Sequence, residues 1–524
     1  MTTEVDAQAP QREPMTHREV LRALSGLLIV LFAAMISSTV VSVALPQIIG
    51  SLHGSQSQYT WVVTAMLLAS TASTPVWGRL ADLFDKKRLL IIAILLFATA
   101  SLLCGLVQNT AQLIALRAVQ GLGMGALQVL VQVIIGTMVS PKERGRYNGY
   151  LGGVMAVATV GGPLLGGVIT DTDWLGWRSC FFLAVPLTVV ALIMLVRTLH
   201  LEEARRPETK VDYVGAVLIA SGVSLLLLWV TFVDSDFDWV SWQTGLMAGG
   251  ALVLLAAAAW TELKVDQPVV PVRVIARRDP ALAVVASLAV GMAMFGGAVF
   301  LGQYFQISRG YSPTEAGLLT IPMMLGVLVA SAVAGRMVSR SGAVKRYIVA
   351  GAIVLTLGFA LLSQIDHTTN LVYIGFGMLL VGCGVGMTMQ NLVLVVQNSV
   401  PLRELGAASG AITFFRTLGG AVGVSVLGAV LANQVADKIA SGLAALGVDT
   451  GAGTGGDAST LDIASMPAPV QEVVRASYGD ATGHLFLISA SIAAVGVLAA
   501  LCLSRVRLRE TVDLAEESRE PASA

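Results

Sequence analysis

Arg117, Gln120, Gln128 and Gln132 stand in an otherwise apolar run, at spacings that place them within an arc of about 120° if the run is helical. A guanidinium and three amides on one face offer donors and acceptors, which hold a molecule without breaking its bonds. Gln390 with Gln397 and Asn391 with Asn398 lie seven apart, so each pair shares a helix face, and Arg416 brings a second guanidinium in the run FFRTLGG. Ser37, Ser38 and Ser42 add hydroxyls, and Met292, Met294, Phe295, Met387 and Met389 add soft apolar surface. An apolar cavity with scattered hydrogen-bonding groups suits amphipathic small molecules of varied shape, because methionine and aromatic surfaces repack around them.

Bond-breaking machinery does not stand out. The chain has no GxxxxGK[ST] loop to cradle nucleotide phosphates and no HExxH, and His17, His53, His200, His367 and His484 fall in tails, loops or helix ends. Cys104, Cys180, Cys383 and Cys502 show no CxxC spacing, so packing roles are expected for them, with no cofactor and no metal. These features argue against an enzyme or an ATP-driven pump. A formal net charge of zero argues against a nucleic-acid binder.

The elements that position these residues belong in a membrane. Of the 524 residues 55% are hydrophobic and 13% charged, and the mean hydropathy is +0.77, so lipid is the expected solvent. Fourteen apolar stretches are each about long enough to cross a bilayer as a helix, which predicts an all-α polytopic membrane protein. With the N-terminus inside, inner loops receive Lys86, Lys87, Arg88, Lys142, Arg144, Arg146, Arg205, Arg206, Lys210, Arg273, Arg277, Arg278, Arg336, Arg340, Lys345 and Arg346. Outer loops receive only Arg178, Arg309, Lys438 and Arg475. That asymmetry predicts both termini in the cytosol and a place in the cytoplasmic membrane.

The chain repeats itself. GRLADLFDKKR (78–88) after span 2 is echoed by GRMVSRSGAVK (335–345) after span 10, and GLGMG (121–125) in span 4 by GCGVG (382–386) in span 12. The expected organisation is a tail over 1–22, a six-helix bundle over 23–199, a linker with two inserted helices over 200–280, a second six-helix bundle over 281–504, and a tail over 505–524. An outer loop over 432–482, with the low-complexity run GVDTGAGTGGDAST, is expected to be loosely folded. Parallel repeats of this kind build transporters with a substrate site near the bilayer midplane.

These motifs, in this order, resemble the fourteen-helix drug/proton antiporters of the major facilitator superfamily. GRLADLFDKKR is similar to the superfamily's loop between helices 2 and 3, RAVQGLGMGA (117–126) to its helix 4 motif, and GYLGGVMAVATVGGPLLGG (149–167) to the antiporter motif of helix 5. TVVSVALP (39–46), DYVG (212–215) and SPTEAGLLTIP (312–322) resemble the family's helix 1, helix 7 and helix 10 patterns. The resemblance implies the major facilitator fold, two pseudo-symmetric bundles plus two inserted helices, working as a monomer. It also implies gating roles for Gly78, Arg79, Asp82, Arg88 and Asp212, and a tight interhelical seam at Gly162, Pro163, Gly166 and Gly167. Asp85 replaces a usual glycine, Ser339 replaces the acid of the second copy, and Ser37 stands where the family's helix 1 commonly has an aspartate.

The function implied is export of amphipathic drugs or metabolites by alternating access in exchange for protons. Since Ser37 is no acid, peripheral carboxylates such as Asp82, Asp212 or Glu315 are the candidates for proton coupling. The alternative is a facilitator or exporter of an anionic or lipid-like metabolite held by Arg117 and Arg416. A membrane sensor without transport is a further, weaker reading.

Overall fold

All fourteen apolar stretches are helical in the computed structural model, which describes residues 17–52, 56–170, 172, 175–199, 212–233, 237–265, 268–445, 467–504 and 508. In chain order the spanning helices are α1 (His17–Ser51), α2 (Gln56–Leu83), α3 (Lys86–Cys104), α4 (Thr110–Met138), α5 (Pro141–Thr170), α6 (Ala184–Thr198), α7 (Tyr213–Phe232) and α8 (Trp242–Glu262). They continue with α9 (Arg278–Gln303), α10 (Ile321–Ser341), α11 (Val344–Leu362), α12 (Leu371–Asn398), α13 (Leu405–Ala445) and α14 (Ala468–Cys502).

Thirteen of the helices among the described residues are long and apolar enough to cross a membrane. The exception is α2, which is long enough but rich in hydroxyls. Its Thr64, Ser70, Thr71 and Thr74 are buried rather than set against lipid. A helix enclosed by α4, α7 and α13 tolerates polar residues that a lipid-facing one does not.

The two halves repeat in space as in sequence. Helix α4 packs on α2 and α3 as α12 packs on α10 and α11, and α1 packs on α5 and α6 as α9 packs on α13 and α14. Glycines set these contacts. A Cβ on Gly123 would lie 2.9 Å from the Cβ of Phe97 in α3, and one on Gly384 2.5 Å from the Cβ of Leu355 in α11. On Gly125 it would lie 2.5 Å from the Ser70 carbonyl oxygen in α2, and on Gly386 2.5 Å from that of Val327 in α10. The two GxGxG runs thus serve the same two neighbours in each half, at backbone-to-backbone range.

The second residue of α3, Lys87, donates from Nζ to the Val196 carbonyl at 2.9 Å near the end of α6. The second residue of α11, Lys345, reaches Leu501 at 2.8 Å and also Leu503 at the end of α14. Each lysine satisfies carbonyls that a helix C-terminus leaves orphaned. Asp85 caps α3, its Oδ1 accepting from the Arg88 N–H at 2.8 Å, so an acid there starts a helix where the family has glycine.

Of the inserted pair, α7 packs on α2 and α13, and α8 packs on α7. The segment over 432–482, expected as a loosely folded loop, departs from expectation. Helix α13 runs on to Ala445 and α14 begins at Ala468, with Gln434 against His484, Lys438 Nζ 3.1 Å from Asp480 and Gly442 against Val473. Hydropathy marks where a chain leaves hydrocarbon, whereas this helical pair continues past that boundary. The low-complexity run itself lies outside the described residues.

Candidate functional site

The two halves meet at the end of the bundle that carries the basic loops. Helix α2 ends there with Gly78, Arg79 and Asp82, and α13 begins. The Asp82 carboxylate accepts from the Gly406 N–H at 2.7 Å and the Ala407 N–H at 2.8 Å, two donors of the first turn of α13. Aspartate on a helix N-terminus gains from charge, dipole and geometry together. The contact is dry: Asp82 is 8% exposed and Arg79 6%. Gly78 permits it, since a Cβ there would stand 2.5 Å from the Gly406 carbonyl oxygen.

The repeat builds the same contact with α10 and α5. Gly335 takes the place of Gly78 and Gly145 that of Gly406, with a Cβ on Gly145 falling 2.8 Å from the Gly335 carbonyl. Ser339 takes the place of Asp82, and its hydroxyl accepts from the Arg146 N–H at 2.9 Å. Beyond it Gly149 lies against Ala332 and Gly152 against Ser331. Farther along α5, a cleft of about 280 Å³ opens between Val157, Gly161 and Leu164 and the α10 residues Ile321, Met324, Leu325 and Leu328.

A polar seam runs inward from these contacts. Buried Arg144 donates to the Val139 carbonyl at 2.9 Å and to Gln397 Oε1 across the halves at 3.3 Å. Gln397 donates on to Ser409 at 2.9 Å, and Thr413 donates to Gln132 at 3.3 Å. Gln390 touches Met155 of α5 through Nε2, 3.8 Å from the sulfur. The Gln390 Oε1 and Arg416 Nη1 atoms are buried without a hydrogen-bond partner. Asn391 donates to the Met387 carbonyl at 2.7 Å and Asn398 is buried.

Arg117 belongs to a different centre. Its Nη1 donates to Gln120 Oε1 at 2.9 Å and its Nε to the Val62 carbonyl at 3.3 Å. Gln120 donates to the hydroxyls of Ser37 at 3.2 Å and Ser101 at 2.8 Å. The network ties α1, α2, α3 and α4 together inside the first bundle, with Arg117 3% exposed and Gln120 fully buried. Among the described residues no carboxylate ion-pairs with Arg117 or Arg416. Ser38 and Gln128 are half-buried, and the side chain of Ser42 lies outside the described residues.

Gly162 and its neighbours on α5 serve an intra-bundle contact as well as the seam. A Cβ on Gly162 would meet Thr39 of α1, whose hydroxyl donates to the Ala158 carbonyl at 3.0 Å. Gly166 is buried, Gly167 lies near Thr314, and the Pro163 side chain lies outside the described residues. Arg88 is exposed, with its backbone in the Asp85 cap. Asp212 caps α7, accepting from the Gly215 N–H at 2.8 Å, and Glu315 forms a capping box with Ser312.

Sequence reasoning missed three participants. Arg144 counts among the basic loop residues without announcing its reach across the halves, Met155 reads as plain core, and Glu262 reads as the end of a span. The signal for Glu262 was a carboxylate inside the boundary of an apolar helix.

Comparison with known proteins accords with this architecture. The family model of the Major Facilitator Superfamily matches residues 27–424. An uncharacterized MFS-type transporter of Mycobacterium tuberculosis is 34% identical over 516 residues, 98% of this chain and 73% of that protein. The multidrug transporter protein MdtP of Bacillus subtilis is 33% identical over 421 residues, 79% of this chain and 77% of MdtP. The efflux pump dotC of Dothistroma septosporum is 30% identical over 506 residues, covering 95% of this chain and 86% of dotC. The crystal structure of the human organic anion transporter MFSD10 (TETRAN) superposes with a TM-score of 0.60 at 14% identity, over 90% of this chain and 99% of that one. The chain therefore belongs to the Major Facilitator Superfamily and is a multi-pass membrane transporter of small molecules, not an enzyme.

Proposed function

We propose that this transporter exports amphipathic drugs or metabolites across the cytoplasmic membrane by alternating access, in exchange for protons, as a monomer with both termini in the cytosol. One observation carries the reading: the halves are latched at the basic face by Asp82 on the α13 N-terminus, a contact that rotation of one bundle must break. Relatives named as a multidrug transporter and an efflux pump support export. The substrate groups are Gln128, Gln132, Gln390, Gln397, Asn398, Arg416 and the neighbouring methionines, with Arg117, Gln120, Ser37, Ser38 and Ser42 stiffening or lining the first bundle. The gate is Gly78, Arg79, Asp82 and Arg88 with the α5 glycines. At about 100 mV one proton supplies roughly 2.3 kcal/mol, close to the energy of a hundredfold substrate gradient.

A second reading has its own observation. Arg416 is buried with Nη1 unpartnered and no carboxylate paired to it among the described residues, which favours an anionic substrate taken up by the guanidinium. Transport into proteoliposomes under an imposed pH jump, with cationic, neutral and anionic amphiphiles, separates the two. Uptake of cationic or neutral compounds that follows the pH gradient supports exchange with protons. Equilibration of anions alone, indifferent to the gradient and lost in Arg416→Gln, overturns it.

A further inference from the structure

Two carboxylates meet beside the α2–α13 contact, on helices that the two-bundle architecture does not require. Asp212 uses Oδ1 to cap α7, and Glu262, 2% exposed at the end of α8, uses Oε2 to accept from the Val270 N–H at 3.1 Å. Each has a second oxygen left over. Asp212 Oδ2 and Glu262 Oε1 are both buried and have no hydrogen-bond partner. Both converge on one spot, because a Cβ on Gly215 would collide with the two of them. Two ionised carboxylates facing one another in a dry site repel strongly, whereas one proton converts the repulsion into an O–H···O⁻ hydrogen bond.

We propose that Asp212 and Glu262 share a single proton, and that this pair on the inserted helices controls the neighbouring latch between α2 and α13. Protonated once, the pair carries one negative charge, and buried Arg79 of α2 acts on Glu262 as it does on Asp82. Loss of the proton to water at the basic face leaves two negative charges and breaks the pair apart. The movement has a path. Val270 is bonded to Glu262, and its neighbour Val269, 1% exposed, packs in one apolar cluster with Ala72 of α2 and with Phe414 and Leu418 of α13.

Other charged groups lie on the packed elements. Lys264 sits 3.6 Å over the Trp260 ring, and Arg273 donates to the Leu263 carbonyl at 2.6 Å. Asp82, one turn beyond Arg79, holds the α13 N-terminus, and α13 itself brings Arg416 between Phe414 and Leu418. Among the described residues Glu262 and Asp212 are the two acids that each keep a buried oxygen without a hydrogen-bond partner.

This inference deepens the proposed exchange with protons and rests on that reading only for its consequence in transport; the shared proton is measured apart from it. The test uses full-length protein in lipid nanodiscs and reads the protonated-carboxyl C=O band in infrared difference spectra between pH 5 and pH 9. The expected result is a titrating band in the wild type that is lost in Glu262→Gln and altered in Asp212→Asn. It is also displaced in Gly215→Ala, which keeps both acids but drives them apart. Spin labels at Phe84 and Leu402, with native cysteines replaced, are expected to separate on raising the pH in the wild type and to stay fixed in Glu262→Gln. A wild-type band unchanged by all three substitutions overturns the shared proton. An altered band with label distances that ignore pH overturns the link to the latch. Failure of pH-driven export with both signals intact overturns the transport reading alone.

Discussion

The contacts α2–α13 and α10–α5 are two copies of one design, differing chiefly in the atom that closes them. Gly78 and Gly335 bring the backbones together in both, and four residues later the chain places an acceptor on the N-terminal turns of the opposite half. In one copy the acceptor is the Asp82 carboxylate, in the other the neutral Ser339 hydroxyl. The helices they serve differ to match: α5 carries Glu143 inside its own first turn, whereas the first turn of α13 has no acid and Glu404 stands in the 3-10 turn just before it. A helix N-terminus that already has a carboxylate gains little from another, and one that lacks it takes it from across the interface. Only the second case makes a charge-assisted contact that separation must break, so the proposed latch is one-sided although the fold is twofold.

The sharpest way to break the comparison is Asp82→Asn. The amide keeps the shape and loses the charge at two buried N–H donors, a loss on the order of 1.5–3 kcal/mol, which shifts the latched population by roughly tenfold to a hundredfold. Labels at Phe84 and Leu402 are expected to move apart, and net export to fall at least about tenfold. An unchanged distance would make Asp82 a mere helix cap.

Glycine substitutions strike both copies alike and rank next. Alanine at Gly78 or Gly335 sets a methyl against a carbonyl of the opposite half, Gly406 and Gly145 respectively. Backbone cannot yield as a side-chain tip does, so each change is expected to cost about 1–3 kcal/mol of the closed arrangement. Equal losses of transport for the two alanine variants would show the steric part to be symmetric. A tolerated Gly335→Ala beside a damaging Gly78→Ala would carry the asymmetry into the packing too.

Ser339→Ala is the milder counterpart. It removes two neutral hydrogen bonds, one accepted from the Arg146 N–H at 2.9 Å and a long one donated to the Glu143 carbonyl at 3.5 Å, each of about 0.5–1.5 kcal/mol at most, for an expected change in transport of a few-fold. Ser339→Asp asks the converse: a second charge beside Glu143 of α5 is expected to meet repulsion and gain little, so a strong rise in latching would contradict the account of why serine stands there.

How much of this was legible beforehand follows from what each signal measures. Hydropathy located the helices, because it is a property of a helix against lipid. It could not tell α2 from its neighbours, since its polar interior depends on what encloses it, nor see α13 and α14 continue past the boundary. The repeat paired Gly78 with Gly335 and Asp82 with Ser339, but whether Ser339 bonds to anything depends on α5 lying opposite. Helical phase put Arg117 and Gln132 on one stripe. Depth then divided them, Arg117 into a knot with Ser37 and Ser101, Gln132 into the seam with Thr413. Glu262 escaped because pairing with Asp212 is a fact of two helices and neither motif contains both.

At the opposite ends of the bundles the comparison recurs at its weakest. Arg178 Nη1 bridges the Gly105 and Val107 carbonyls after α3, and Arg309 Nη1 bridges those of His367 and Thr369 after α11. The second loop has an extra knot. Asp366 accepts from the Thr368 hydroxyl and N–H and from the Thr369 hydroxyl, and these bonds hold its carboxyl down at about 2, below the usual carboxylate range. Because the folded value is depressed, its contribution is complete above about pH 4 and lost only as pH falls through about 2, so it is constant across the physiological range. Its full contribution is thus present at pH 7, but in a loop open to water these bonds are screened, and Asp366→Asn is expected to lower the melting temperature by less than about 2 °C there and to leave export unchanged. A large loss of export would move part of the gate to this face.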